Sequence, residues 1–114
     1  MIDRRLFTRF PLRCECNLAL AHGYRFFEAT VEDISLGGLR ISTTTPLNIG
    51  QEIAFTIPQK PPIKGTGRIV WVHKEGDKVT AGVEITRLKP ESREKLEKLI
   101  SELTLATLSD DYLR

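Results

Sequence analysis

Apolar residues return on every second position through most of this chain, in short runs cut by turn residues. That period belongs to a strand with one buried face, because successive side chains of an extended backbone point to opposite sides. Cys14, Cys16, Leu18 and Leu20 alternate with Arg13, Glu15, Asn17 and Ala19, and His22-Gly23 reads as a turn. In the extended segment 24–34, Phe27, Ala29 and Val31 share one face, opposite Glu28, Thr30 and Glu32. A break at Ser35-Leu36-Gly37-Gly38 precedes Leu39 and Ile41, which alternate with Arg40 and Ser42. After Pro46 and Gly50, the set Ile53, Phe55 and Ile57 alternates with Glu52, Ala54 and Thr56 until Pro58. Residues 59–62 form a loop, since Pro61-Pro62 cannot donate to a ladder, and a strand resumes through Arg68, Ile69, Val70, Trp71 and Val72. A turn at 74–78 separates it from Val79, Ala81, Val83 and Ile85. About six short strands with regular turn signals give a small antiparallel barrel or sandwich, and a barrel would leave no exposed edge.

The period changes after Lys89. Leu96, Leu99, Ile100 and Leu103 recur at the spacing of one helix face, with Pro90 suited to the first turn and Glu91 to the positive end of the helix dipole. Leu105, Leu108 and Tyr112 extend the pattern. The apolar stripe must be covered, either by the barrel or by a partner's helix. With 114 residues the chain has enough material for one core. We divide it into an N-terminal arm over 1–12, a strand domain over 13–89, and a helix and tail over 90–114.

Seventeen Lys and Arg against fifteen Asp and Glu leave a charge of +2, too balanced for a general polyanion binder. Arg4, Arg5, Arg9 and Arg13 nevertheless make the arm locally basic. Cys14 and Cys16 stand on one strand face, poorly placed for a disulfide, and read as core residues in a reducing compartment. The charged opening Met1-Ile2-Asp3-Arg4-Arg5 is unlike a signal peptide and no apolar stretch is long enough to span a bilayer, so the expected location is the cytoplasm, without membrane insertion. His22 and His73 are isolated, and no metal site, catalytic triad, carboxylate pair or phosphate loop assembles. Neither an enzyme nor a cofactor is expected. Trp71 lies in an apolar strand and reads as core, while Phe7 and Phe10 read as anchors for the arm.

Two constellations remain. Arg5-Leu6-Phe7-Thr8-Arg9 lies in the arm, and Asp33-Ile34-Ser35-Leu36-Gly37-Gly38 at a strand-to-turn junction. Taken singly, the arginines suit a solvated basic tail and the second segment an ordinary turn. In this order they resemble the RxxxR and DxSxxG signatures of the PilZ domain family, and Gly67-Arg68-Ile69-Val70-Trp71-Val72 and Ala81-Gly82-Val83-Glu84-Ile85 resemble that family's closing strands. The resemblance runs from about Arg4 to Leu103. It implies a mainly β fold, a six-stranded antiparallel β-barrel of the split type with a C-terminal α-helix, and a receptor for cyclic di-GMP.

The residues fit such a ligand chemically. Guanine presents O6 and N7 at a spacing that matches the fork of an arginine, worth roughly 1–3 kcal/mol per bidentate pair. A guanidinium also stacks on purines and pairs with phosphate, so Arg5 and Arg9 suit two guanines and two phosphates. Pro11 keeps Phe10 extended, leaving the arm free to wrap. An ionised Asp33 only accepts, which complements the N1–H and N2–H donors of guanine. Ser35 can donate to a phosphate or cap the turn, and Gly38 and Gly37 are expected to supply positive φ and close backbone approach. In the family these positions contact the ligand, and a basic residue at the place of Arg4 can favour a stacked ligand pair.

The resulting expectation is a receptor that closes its arm over cyclic di-GMP, with Arg4, Arg5, Arg9, Asp33, Ser35, Gly37 and Gly38 in the site, and signals to an unidentified protein partner as a monomer or weak homo-oligomer. The alternative from another class is a PilZ-like protein adaptor without nucleotide response, whose relatives typically lack one or both signatures. A single-stranded nucleic acid binder would need exposed aromatics along a basic groove, and aromatics make up only 7% here, so no nucleic acid polymer is expected.

Overall fold

Six strands and one helix follow one another in the computed structural model, which describes residues 8–20 and 25–112, side chains of 107–112 excepted. They are β1 (Phe10–Leu20), β2 (Phe26–Ile34), β3 (Gly38–Thr43), β4 (Glu52–Ile57), β5 (Ile63–Glu75), β6 (Lys78–Leu88) and α1 (Pro90–Tyr112). The strands close into an antiparallel barrel in the order β1-β2-β3-β6-β5-β4, with β4 returning to β1. Closure pairs every strand on both sides, so the barrel of the two architectures left open by the alternation is the one adopted. The turn expected at His22-Gly23 lies outside the described residues.

The alternating apolar sets point inward as their period requires. Leu18, Val31, Leu39, Ile41, Phe55 and Ile69 are fully buried and meet across the barrel, each contributing roughly 1.5–3 kcal/mol by leaving water. Cys16 is buried among them and Cys14 packs at their edge, both as free thiols. β1 begins at Phe10, three residues before the apolar alternation becomes visible. β5 is longer than its apolar run, because Lys64 to Gly67 pair with β4 before the strand turns apolar. The β5–β6 turn narrows to Gly76-Asp77, with Gly76 at φ 60°, the conformation that a two-residue hairpin needs at its first position.

The register shifts at four places among the described residues, and two of them set the outer surface. On β2 the register shifts between Val31 and Asp33, so that Val31 and Ile34 both face the core with Glu32 and Asp33 between them. On β5 it shifts between Ile69 and Trp71. Trp71 therefore stands opposite Gly82 on the outside, half-buried, and corrects the expectation that it belongs to the core. Its indole lies flat across Gly82, where any Cβ would collide with the ring. A bulge adds one residue to one strand and so reverses the inside and outside sets beyond it.

The helix stripe is covered in cis. Leu96 and Leu99 are buried and Ile100 and Leu103 partly so against the barrel, with the contacts falling on β5 and β1. Pro90 opens α1, as its lack of an N–H allows. The helix is pinned at its first turn by buried Ser92, whose Oγ accepts a hydrogen bond from the Lys64 N–H at 2.8 Å. No helix among the described residues is long and apolar enough to cross a membrane.

Candidate functional site

The register of β2 against its neighbours assembles the site. Asp33 stands opposite Arg40 of β3 on one side and Pro11 of β1 on the other. The bulge turns its carboxylate outward, where two arginines meet it. Arg9 donates from Nη1 to Oδ1 at 2.6 Å, and Arg40 donates from Nε to Oδ2 at 2.7 Å. The Asp33 side chain is only 14% exposed, whereas Arg9 and Arg40 are 38% and 45% exposed. One carboxylate beneath two guanidiniums leaves the patch with net positive charge, and the unshared N–H groups of both arginines give it donors for an anion. Arg13 adds a longer contact, 3.8 Å from Glu32, which also accepts from the Ser42 hydroxyl at 2.7 Å.

Next to this cluster lies the turn from β2 into β3. The Ser35 N–H donates to the Gly38 carbonyl at 2.9 Å and closes it. The Ser35 hydroxyl oxygen accepts from the N–H groups of Gly37 and Gly38, at 3.2 and 3.1 Å. Of its two expected roles, capping the turn is therefore the one this geometry displays. Burial of Ser35 makes the arrangement expensive to lose, since two amides would be left without an acceptor. The Ile85 N–H donates to the Gly37 carbonyl at 3.0 Å, tying the turn to β6.

Gly38 corrects one expectation. Neither it nor Gly37 occupies the left-handed region; among the described residues positive φ falls at Gly50 (92°) and Gly76 (60°). What requires glycine at 38 is the approach of β6, because a Cβ there would run into the Val83 carbonyl oxygen. The close approach is to the protein's own backbone.

The structure thus brings together Arg9, Asp33, Ser35, Gly37 and Gly38. Arg4 and Arg5, and Phe7 with them, lie outside the described residues. Phe10 is half-buried and pairs with Ile34 at the start of β1, fixing the chain one residue after Arg9. Arg40 was not among the residues singled out in the sequence. Its signal was there, as an outward position between Leu39 and Ile41, but its partner could be named only once the bulge and the β2–β3 register were known. Among the described residues two concavities lie elsewhere on the barrel wall, one lined by Ala54, Thr66, Gly67 and Arg87 and one by Glu15, Glu28, Thr30 and Lys78. No group of three or more His, Cys, Asp and Glu residues among those described could hold a metal ion.

A closed six-stranded barrel with a C-terminal helix and an arginine–aspartate cluster beside a DxSxxG turn defines a class of small antiparallel barrels. The chain belongs to the PilZ domain family, whose model matches residues 3–102. That family consists of cyclic di-GMP receptors and adaptors and not of enzymes. Among solved structures, the fold is similar to the PilZ domain of YcgR from Escherichia coli with c-di-GMP (TM-score 0.74, 17% identity, 96% of this chain and 98% of that one). It is also similar to the K. pneumonia MrkH–c-di-GMP complex (TM-score 0.75, 17% identity, 96% and 57%). A third similar structure is the Bacillus subtilis inhibitor of motility MotI/DgrA (TM-score 0.75, 13% identity, 92% and 53%). The chain spans about half the length of the MrkH and MotI/DgrA chains. No curated protein matches the sequence.

Proposed function

We propose that this chain is a cyclic di-GMP receptor that binds the dinucleotide on the outer barrel face around Asp33 and the Ser35–Gly38 turn, and that it acts in the bacterial cytoplasm. The observation that carries the reading is the meeting of Arg9 and Arg40 on Asp33, beside a turn at which Leu36 is exposed. The solved YcgR and MrkH structures with c-di-GMP support the choice of ligand.

In this reading Arg9 leaves Asp33 for a guanine edge or a phosphate, and Arg5 joins it from the arm. Asp33 then accepts from the N1–H and N2–H groups of a base. Ser35 holds the turn in shape, and the Gly37–Gly38 backbone beside it lies against the ligand. Arg4 favours a stacked pair of ligands over one. The arm closes over the dinucleotide, and the altered surface is what an unidentified protein partner recognises.

Calorimetric titration with cyclic di-GMP, with GTP and cyclic di-AMP as controls, tests this on the wild type and on Arg9→Ala. Selective binding is expected, weakened roughly tenfold to a hundredfold in the variant, as the loss of one bidentate pair of roughly 1–3 kcal/mol requires. A folded wild type that binds none of the three nucleotides would refute the receptor reading and favour a protein adaptor without nucleotide response.

A further inference from the structure

The two arginines on Asp33 are anchored differently. Arg9 precedes β1 and belongs to no strand, whereas Arg40 is in the middle of β3, paired with Asp33 of β2 on one side and Gly82 of β6 on the other. Each engages a different carboxylate oxygen, Arg9 taking Oδ1 at 2.6 Å and Arg40 taking Oδ2 at 2.7 Å. An exchange of partners at Oδ1 therefore leaves the contact at Oδ2 in place.

We propose that Arg40 is a positioning residue, fixing the Asp33 carboxylate through Oδ2 so that Oδ1 is aimed at a guanine Watson–Crick edge once Arg9 turns to the ligand. This rests on the receptor reading and adds to it a residue that lies outside both sequence signatures. Two physical requirements favour it. A carboxylate pivots about its last torsion, and a donor fixed on Oδ2 holds its plane in advance, so that Oδ1 meets the base without that freedom having to be lost on binding. The ligand also brings phosphates to the patch, and an Asp33 abandoned by Arg9 would face them without a counter-charge unless Arg40 stayed. The β-ladder holds Arg40 by its backbone on both sides, so it can stay while the residue ahead of β1 moves.

The test compares cyclic di-GMP with cyclic di-IMP, which lacks the exocyclic amine, by calorimetry on the full chain. Wild type, Asp33→Ala, Arg40→Ala and Arg40→Lys are measured with both. The wild type is expected to prefer the guanine dinucleotide by about tenfold, the worth of one hydrogen bond to a charged acceptor. Asp33→Ala should abolish that preference, and Arg40→Ala should reduce it nearly as far. Arg40→Lys, which restores a charge without the planar guanidinium, should recover part of it. A general loss of affinity from a distorted barrel would weaken both ligands alike, so the ratio isolates the positioning role. A folded Arg40→Ala, or Arg40→Gln should the alanine variant fail to fold, that keeps the wild-type ratio overturns the role of Arg40 alone. Equal binding of the two ligands by the wild type overturns the base-reading role of Asp33 and that of Arg40 with it. No binding of either by the wild type overturns the receptor reading as well.

Discussion

At Gly38 the missing side chain matters for what lies beside the backbone, not for its dihedral angles. The Val83 carbonyl of β6 occupies the space a Cβ would need, and it is held in the β3–β6 ladder, so it cannot move without breaking register. Gly38→Ala is therefore expected to cost on the order of 1–3 kcal/mol, the range for overpacking, seen as a lower urea midpoint with an unchanged slope. An unchanged midpoint would contradict the assignment. The Asp, Ser and Gly of this segment were legible in the sequence because turn chemistry is local: Ser35 caps amides two and three residues ahead. The reason for Gly38 was not legible, since the obstructing atom comes from a strand forty-five positions along the chain. Arg40 was missed for the same reason. A cross-strand partner is fixed by register, and register here depends on a bulge that carries no marker of its own.

Among the elements, the strands were readable wherever inward and outward positions alternate, and unreadable where a bulge resets the count. Glu32 and Asp33 are both polar, so the sequence permits either to face outward with Val31 buried; only the burial of Ile34 settles that both do. Trp71 was misplaced in the same way, because the extra residue on β5 puts an aromatic from an apolar run on the outer wall above Gly82. The helix was the most legible element, with its proline start and apolar stripe, but the sequence left its partner undecided. Packing on β5 and β1 supplies the answer and gives a prediction. Leu96 is 2% exposed beneath the helix, so Leu96→Ala should cost about 2–5 kcal/mol through lost burial and a residual cavity. Thermal unfolding followed by circular dichroism checks it. A variant as stable as the wild type would mean that α1 is not seated on the barrel.

For the whole molecule, closure of the sheet seals one core and makes its interior a poor place for charge. Burial pushes the Cys16 thiol from its ordinary 9.0 up to about 12, with a smaller contribution from the charge of nearby Cys14. In the unfolded chain the thiol ionises first, so between about pH 9 and pH 12 the folded state binds more protons than the unfolded one. Stability contributed by the neutral thiol is thus complete below pH 9 and declines as pH rises through that window. Urea midpoints measured from pH 7 upward should fall more steeply for wild type than for Cys16→Ala, and parallel curves would contradict a sealed thiol. The same closure leaves the proposed binding chemistry on the outer wall, where two arginines, one aspartate and a capped turn form a polar patch. The most direct measurement of that central claim is amide chemical-shift mapping of the full chain on titration with cyclic di-GMP. Saturable shifts are predicted to be largest at Arg9, Asp33, Ser35, Gly37, Gly38 and Arg40. Shifts centred instead on the concavity of Ala54, Thr66 and Gly67, or no saturable shift at all, would contradict it.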